Sequence, residues 1–203
     1  MKGLLYKDIR CLFKNMSPAY FMCLIPILVY WNKGVFLYVL ALIVGYFFGI
    51  QTLLSISIDE QSGFSSVYRL LPISKYKISI SKYLFMLLMM AASAVFVTFI
   101  TSIFEKEIIL NYGLLSAYVV FLYDILMIPI SLFFGVEKGR YVVIIVAVVP
   151  LIFSNYVIDF ITLIEEYIAQ NSTVVYIVFI LVNFTVLVIS YAVACMGINR
   201  YSH

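Results

Sequence analysis

The chain has 203 residues, of which 65% are hydrophobic, 17% aromatic and 11% charged, with a formal net charge of +3. A mean hydropathy of +1.12 excludes a soluble globular protein, and this length leaves no room for a soluble catalytic domain beside the apolar runs. Runs such as "VFLYVLALIV" do not alternate in polarity, which excludes a membrane β-barrel; the expectation is an all-α, polytopic integral membrane protein, one domain over 1–203 with about six transmembrane helices.

The first 15 residues carry five charges and end in no small-residue cleavage site, so no cleavable leader is expected and insertion falls to the first span. Residues 1–16 read as an interfacial amphipathic helix. Leu5, Ile9, Leu12 and Met16 share one face, while Lys7, Arg10 and Lys14 share another and are expected to reach anionic membrane lipid. Ser17 and Pro18 form an N-cap and first-turn pair. Span 1 is predicted over 18–31 and span 2 over 35–58. A polar loop over 59–82 leads to span 3 over 83–104 and span 4 over 114–136. "EKGR" separates these from span 5 over 141–157, and an apolar-faced outer segment over 158–172 precedes span 6 over 173–198.

Orientation follows from lysine and arginine. Eleven of them, Lys2, Lys7, Arg10, Lys14, Arg69, Lys75, Lys77, Lys82, Lys138, Arg140 and Arg200, fall in one set of loops, and two, Lys33 and Lys106, in the other. The positive-inside rule then places both termini, the 59–82 loop and "EKGR" in the cytoplasm. Cys11, Cys23 and Cys195 are scattered, and His203 is the sole histidine. No disulfide framework, metal site or nucleic-acid partner is expected.

The loop "RLLPISKYKISISKY" is out of keeping with so apolar a chain. Ser65 or Ser66 can cap a short helix, "VYRLL", which Pro72 ends, because the residue before proline avoids the α-region. Ser74 can cap a second helix running into span 3, with Tyr76, Ile80, Tyr83 and Leu84 on one face and Lys75, Ser79 and Lys82 on another. Basic residues resting on anionic lipid are one reading of this element. The other is a docking site for a soluble partner, since Phe64, Tyr68, Leu70 and Leu71 need covering.

The opening "MKGLLYKDIR", the stretch "DEQSGFSSVYRLLPISKYKISISKY" and "FFGVEKGR" after span 4 together resemble the permease subunits of bacterial ABC-2 type exporters, in particular the small six-helix permeases. The resemblance covers the whole chain in layout, though Phe134 stands where such permeases often carry a lysine. It implies a bacterial cell-membrane protein working with separate ABC ATPase subunits and a second permease, identical or related. By the same resemblance a cytoplasmic coupling helix lies between spans 2 and 3, with Phe64, Ser66, Val67, Tyr68, Arg69, Leu70 and Leu71 as docking candidates. Glu137, Lys138, Gly139 and Arg140 form a second cytoplasmic motif. The chain has no G-x-x-x-x-G-K-[ST] motif, so ATP and Mg are expected on the partner chain and no cofactor on this one. The implied cargo is amphipathic or peptide-like. The alternatives are a substrate-binding membrane subunit of a vitamin importer and an intramembrane enzyme; the latter needs convergent catalytic groups, of which only Asp124 presents itself.

Asp124 is the one acid deep within a predicted span. A charged carboxylate there costs on the order of 3 kcal/mol by insertion scales, so it must face water, pair, or take up a proton. It is expected either to line the pathway or to make a structural hydrogen bond to Tyr123 of a second copy, to Asn183 or to Gln51. Gln51 and Asn183 themselves read first as helix–helix glue. Gly45 and Gly49, four apart, allow close helix approach, and Pro129 and Pro150 can kink spans 4 and 5.

Overall fold

The computed structural model describes residues 2–15, 36–63, 74–105, 110–139, 141 and 172–200. Span 1, span 5 beyond Tyr141, nearly all of the outer segment 158–172, the expected coupling helix and Arg140 lie outside the described residues. The described residues form helices and no strand. The short α1 (Lys2–Asn15) precedes α2 (Phe36–Gln61), α3 (Lys75–Glu105), α4 (Leu110–Phe134) and α5 (Ser172–Arg200). Helices α2 to α5 are each long and apolar enough to cross a membrane. Helix is the natural state of such runs in lipid, because it pairs every backbone N–H and C=O within the segment.

The order of packing follows from small residues. Gly45 and Gly49 lie where α2 runs beside α4. A methyl group on Gly45 would come within 2.6 Å of the Ser116 carbonyl oxygen, and one on Gly49 within 2.8 Å of the Tyr123 ring. The close approach that their spacing allows is therefore the α2–α4 contact. On α5, Ser190, Ala194 and Gly197 are buried, four and three residues apart on one stripe. A methyl group on Gly197 would sit 2.7 Å from the Leu132 carbonyl oxygen of α4. Most other side chains of α5 are exposed, Ile177 to Leu181 among them, as suits a helix facing lipid.

Helix α4 is the hub, packing against α2, α3 and α5. Leu53, Ile56, Tyr83, Met86, Met127 and Ile128 form the largest apolar cluster. A second, around Leu37, Leu40, Val44 and Val97, fills the opposite end of the bundle. The polar stretch predicted over 59–82 is helical at both of its described ends. Helix α2 continues through Asp59 to Gln61, and α3 begins directly after Ser74, leaving 62–74 between them. The boundary at Ser74 matches the expected cap position, and its carbonyl accepts from the Lys77 N–H at 2.9 Å.

The end of α4 is set by Gly135, whose φ of 86° is left-handed and favours glycine. The chain then turns into one further short helical piece over 136–139. The termini of these elements converge. Helix α1, the C-terminal end of α2, the N-terminal end of α3, the 136–139 turn and the C-terminal part of α5 all meet at one end of the bundle.

Candidate functional site

At that end, a group of charges is buried between three helices. Ser55 and Asp59 lie four residues apart on one stripe of α2, Lys82 enters from α3, and Lys7 and Asp8 enter from α1. Lys82 is only 2% exposed. Its Nζ donates to Asp8 Oδ1 at 3.0 Å, to Ser55 Oγ at 2.8 Å and to Asp59 Oδ2 at 2.8 Å. An ammonium has three N–H donors, and here each has one acceptor. The Ser55 hydroxyl in turn donates to Asp8 Oδ1 at 2.9 Å. Lys7 pairs with Asp59 and lies 3.3 Å from Asp8. Two lysines and two aspartates give zero net charge, which is what permits the burial.

This arrangement corrects two expectations. Lys7 does not turn to lipid; it is turned inward to Asp59 and Asp8. At the start of α3, Ser79 and Lys82 face the interior, while Tyr76, assigned to the apolar face, is 64% exposed. The physical reason is that opposite charges on α1, α2 and α3 neutralise one another, so Ser79 and Lys82 are buried alongside Tyr83 of the other predicted face.

One residue past Asp59, the Glu60 carboxylate accepts from the Val136 backbone N–H at 2.9 Å. That N–H opens the 136–139 turn, where no intrahelical acceptor is available. The link fastens the end of α2 to the "GVEKG" stretch. Glu137 and Lys138 in that motif are exposed and Gly139 is buried.

Deeper in the bundle, a second polar group ties four helices together. Asp124 is fully buried, and the partner within this chain is neither Gln51 nor Asn183: Thr52 Oγ1 of α2 donates to Asp124 Oδ2 at 2.8 Å. Gln51, next to Thr52, is buried too. Asn183 belongs elsewhere, donating to the Phe179 carbonyl of its own helix at 2.8 Å and accepting from the Tyr118 hydroxyl at 3.5 Å.

Next to Asp124, the Ile125 carbonyl accepts from Ser190 Oγ of α5 at 2.6 Å. The hydroxyls of Ser190 and Tyr83 of α3 lie 2.6 Å apart, so with the Ser190 proton committed to Ile125, Tyr83 is the donor. The reason lies in Pro129, which sits inside α4. Proline has no N–H, so the carbonyl four residues earlier, that of Ile125, has lost its helical donor. In lipid such a group needs another partner, and Ser190 supplies it. Ser190→Ala is therefore expected to cost about 1–3 kcal/mol, read as a lowered thermal midpoint of the purified protein. Tyr83→Phe, which removes only the outer donor, should cost less.

The sequence reading did not single out Thr52, Ser55, Asp59, Lys82, Ser190 or Asp8 as site residues. A signal for the first three was present, since they fall at i, i+3 and i+7 on one stripe of α2.

The family model for ABC-2 family transporter proteins matches residues 3–199. The chain belongs to that ABC-2 transporter family. As an ABC-2 membrane protein it is a membrane-embedded component of a transport system, and membership implies ATPase subunits as partners. Comparison with curated proteins and with solved structures finds no match. For an ABC-2 subunit, the meeting of α1, the facing ends of α2 and α3 and the 136–139 turn at one end gathers the described parts of the three stretches on which the sequence resemblance rested.

Proposed function

We propose that this ABC-2 protein is the permease subunit of an exporter in a bacterial cell membrane, driven by a separate ATPase that docks on residues 64–71. Phe64, Ser66, Val67, Tyr68, Arg69, Leu70 and Leu71 are the docking contacts in this reading. The permease acts with a second permease subunit, identical or related, and moves an amphipathic or peptide-like substrate outward. Both termini face the cytoplasm.

One observation carries the reading. The connection over 62–74 leaves α2 three residues after Asp59 and enters α3 seven residues before Lys82, and these two side chains are joined at 2.8 Å. A pull on the connection is thus delivered to two spanning helices locked together at its base. Through Glu60 and Val136, the same base is joined to the end of α4. A loose lipid-facing loop has no use for such anchoring.

The double substitution Arg69→Glu with Tyr68→Ala tests the docking. The expected result is normal membrane insertion with ATP hydrolysis no longer linked to transport, and loss of the co-purifying ATPase in mild detergent. Unchanged co-purification and coupled turnover would remove residues 64–71 from the docking site.

A further inference from the structure

Three buried side-chain oxygens among the described residues have no hydrogen-bond partner: Asp8 Oδ2, Gln51 Oε1 and Asp124 Oδ1. All three are acceptors. Each therefore offers unused acceptor capacity, which a hydrogen-bond donor or a positive charge would satisfy. At Asp8 the shortage is mild, because Lys7 and Lys82 already face that carboxylate.

At Asp124 it is not. The residue is fully buried and receives a single hydrogen bond, from the neutral hydroxyl of Thr52. The sequence has no lysine, arginine or histidine at 34–68, 83–105, 107–137 or 141–199, which covers every described spanning stretch above Lys82. Lys82 has all three of its donors engaged. Among the described residues no cation is placed to balance Asp124, and an isolated carboxylate in a membrane interior is strongly disfavoured. A balancing charge from outside the described residues has to be single and small enough to fit between helices packed as closely as α2 and α4.

We propose that Asp124, with Thr52 and Gln51, is a binding site for one small monovalent cation, a proton or an alkali-metal ion. If the ligand is a proton, hydronium gives it to Asp124 Oδ1 and leaves as water, and the new O–H bond has an unpaired acceptor available on the adjoining stretch of α2 in Gln51 Oε1. If it is an alkali ion, the carboxylate, amide and hydroxyl oxygens supply ligands and no bond is made or broken. Toward the α1 end of α2, Ser55 and Asp59 continue the polar stripe begun by Thr52, and Asp8, whose Oδ2 is unpaired, is bonded by Ser55. Of the groups about Asp124, α2 contributes Thr52, which bonds it, and next along the chain Gln51, and α5 contributes Ser190, which bonds the neighbouring Ile125 carbonyl; none of these titrates. From α3 comes Tyr83, whose hydroxyl is held by Ser190.

This site is independent of the ATPase-docking reading, and its test needs no ATPase. The full chain is purified into lipid nanodiscs, and its thermal midpoint is measured in lithium, sodium, potassium and choline chloride at equal ionic strength and pH. In parallel, infrared spectra in light and heavy water are compared between the wild type and Asp124→Asn. Binding of an alkali ion raises the midpoint saturably by several degrees in one salt over choline, and Asp124→Asn abolishes the rise. Binding of a proton gives a deuterium-sensitive protonated-carboxyl band that Asp124→Asn removes. Gln51→Leu weakens whichever response is present, and serves alone should Asp124→Asn fail to fold. A wild type showing neither response overturns the proposal, as does a response that survives both substitutions.

Discussion

Replacing Lys82 by methionine is expected to destabilise the protein by about 3–5 kcal/mol, the cost of stranding buried charge when one partner of an ion pair is removed. Methionine fills much of the space of the lysine stem but donates to none of Asp8, Ser55 and Asp59. Lys7 still reaches both carboxylates, so the loss should fall toward the lower figure. Lys82→Arg is no conservative replacement here. The three acceptors are arranged for a compact ammonium, and a planar guanidinium fork presents its donors differently. The decisive comparison is Lys82→Met with Asp8→Asn, which leaves Lys7 against Asp59 and returns the cluster to zero net charge. Removing the stranded charge should recover more than half of the lost stability, measured by thermal unfolding in detergent. If the double variant is no better than the single one, volume rather than charge holds α1 against α2 and α3. Because α1 is attached through Asp8 and Lys7, the single variant should also make α1 more open to limited proteolysis.

The spanning helices were legible because their signal is additive. Predicted spans 2, 3, 4 and 6 each coincide with an observed helix, and α3 begins at Lys75, where the helix expected to be capped by Ser74 and to run into span 3 begins. Helix α2 runs past its expected end at residue 58 to Gln61, and that has a cause. Charge marks a loop only when it is solvated, and Asp59 and Lys82 are neutralised by each other and by α1, so both helices continue through them. Nothing local to Lys82 announces partners at positions 8 and 59. The candidate site divides along the same line. Asp124 was visible because an acid among apolar residues is conspicuous. Its partner Thr52 was not, since hydroxyls in spans commonly bond to their own helix, as Ser93, Ser116 and Ser131 do here. Ser190 was reachable by a longer inference: Pro129 frees the Ile125 carbonyl, and some neighbour must then supply a donor.

Gly45→Val should be the more damaging of the substitutions that leave charge untouched. The first atom of any side chain at Gly45 meets the Ser116 carbonyl oxygen at 2.6 Å and the Val119 Cβ at 2.8 Å. Neither can turn away, because one is backbone and the other is the root of a β-branched side chain. The two helices must separate instead. Overpacking of this kind costs about 1–3 kcal/mol and occasionally more, and valine adds bulk beyond that first atom. The consequence reaches the polar interior, since Thr52 lies two turns along the same face of α2 and holds Asp124 at 2.8 Å. A shift of α2 by even part of an ångström lengthens that bond and leaves both oxygens of Asp124 without a donor. Loss of stability in Gly45→Val should therefore be accompanied by loss of whatever cation response the wild type shows. Gly3→Ala, where an added methyl meets nothing within 4 Å, should change neither. Should Gly45→Val retain wild-type stability, the α2–α4 contact would have to be looser than described, and the buried setting of Asp124 would lose its mechanical basis.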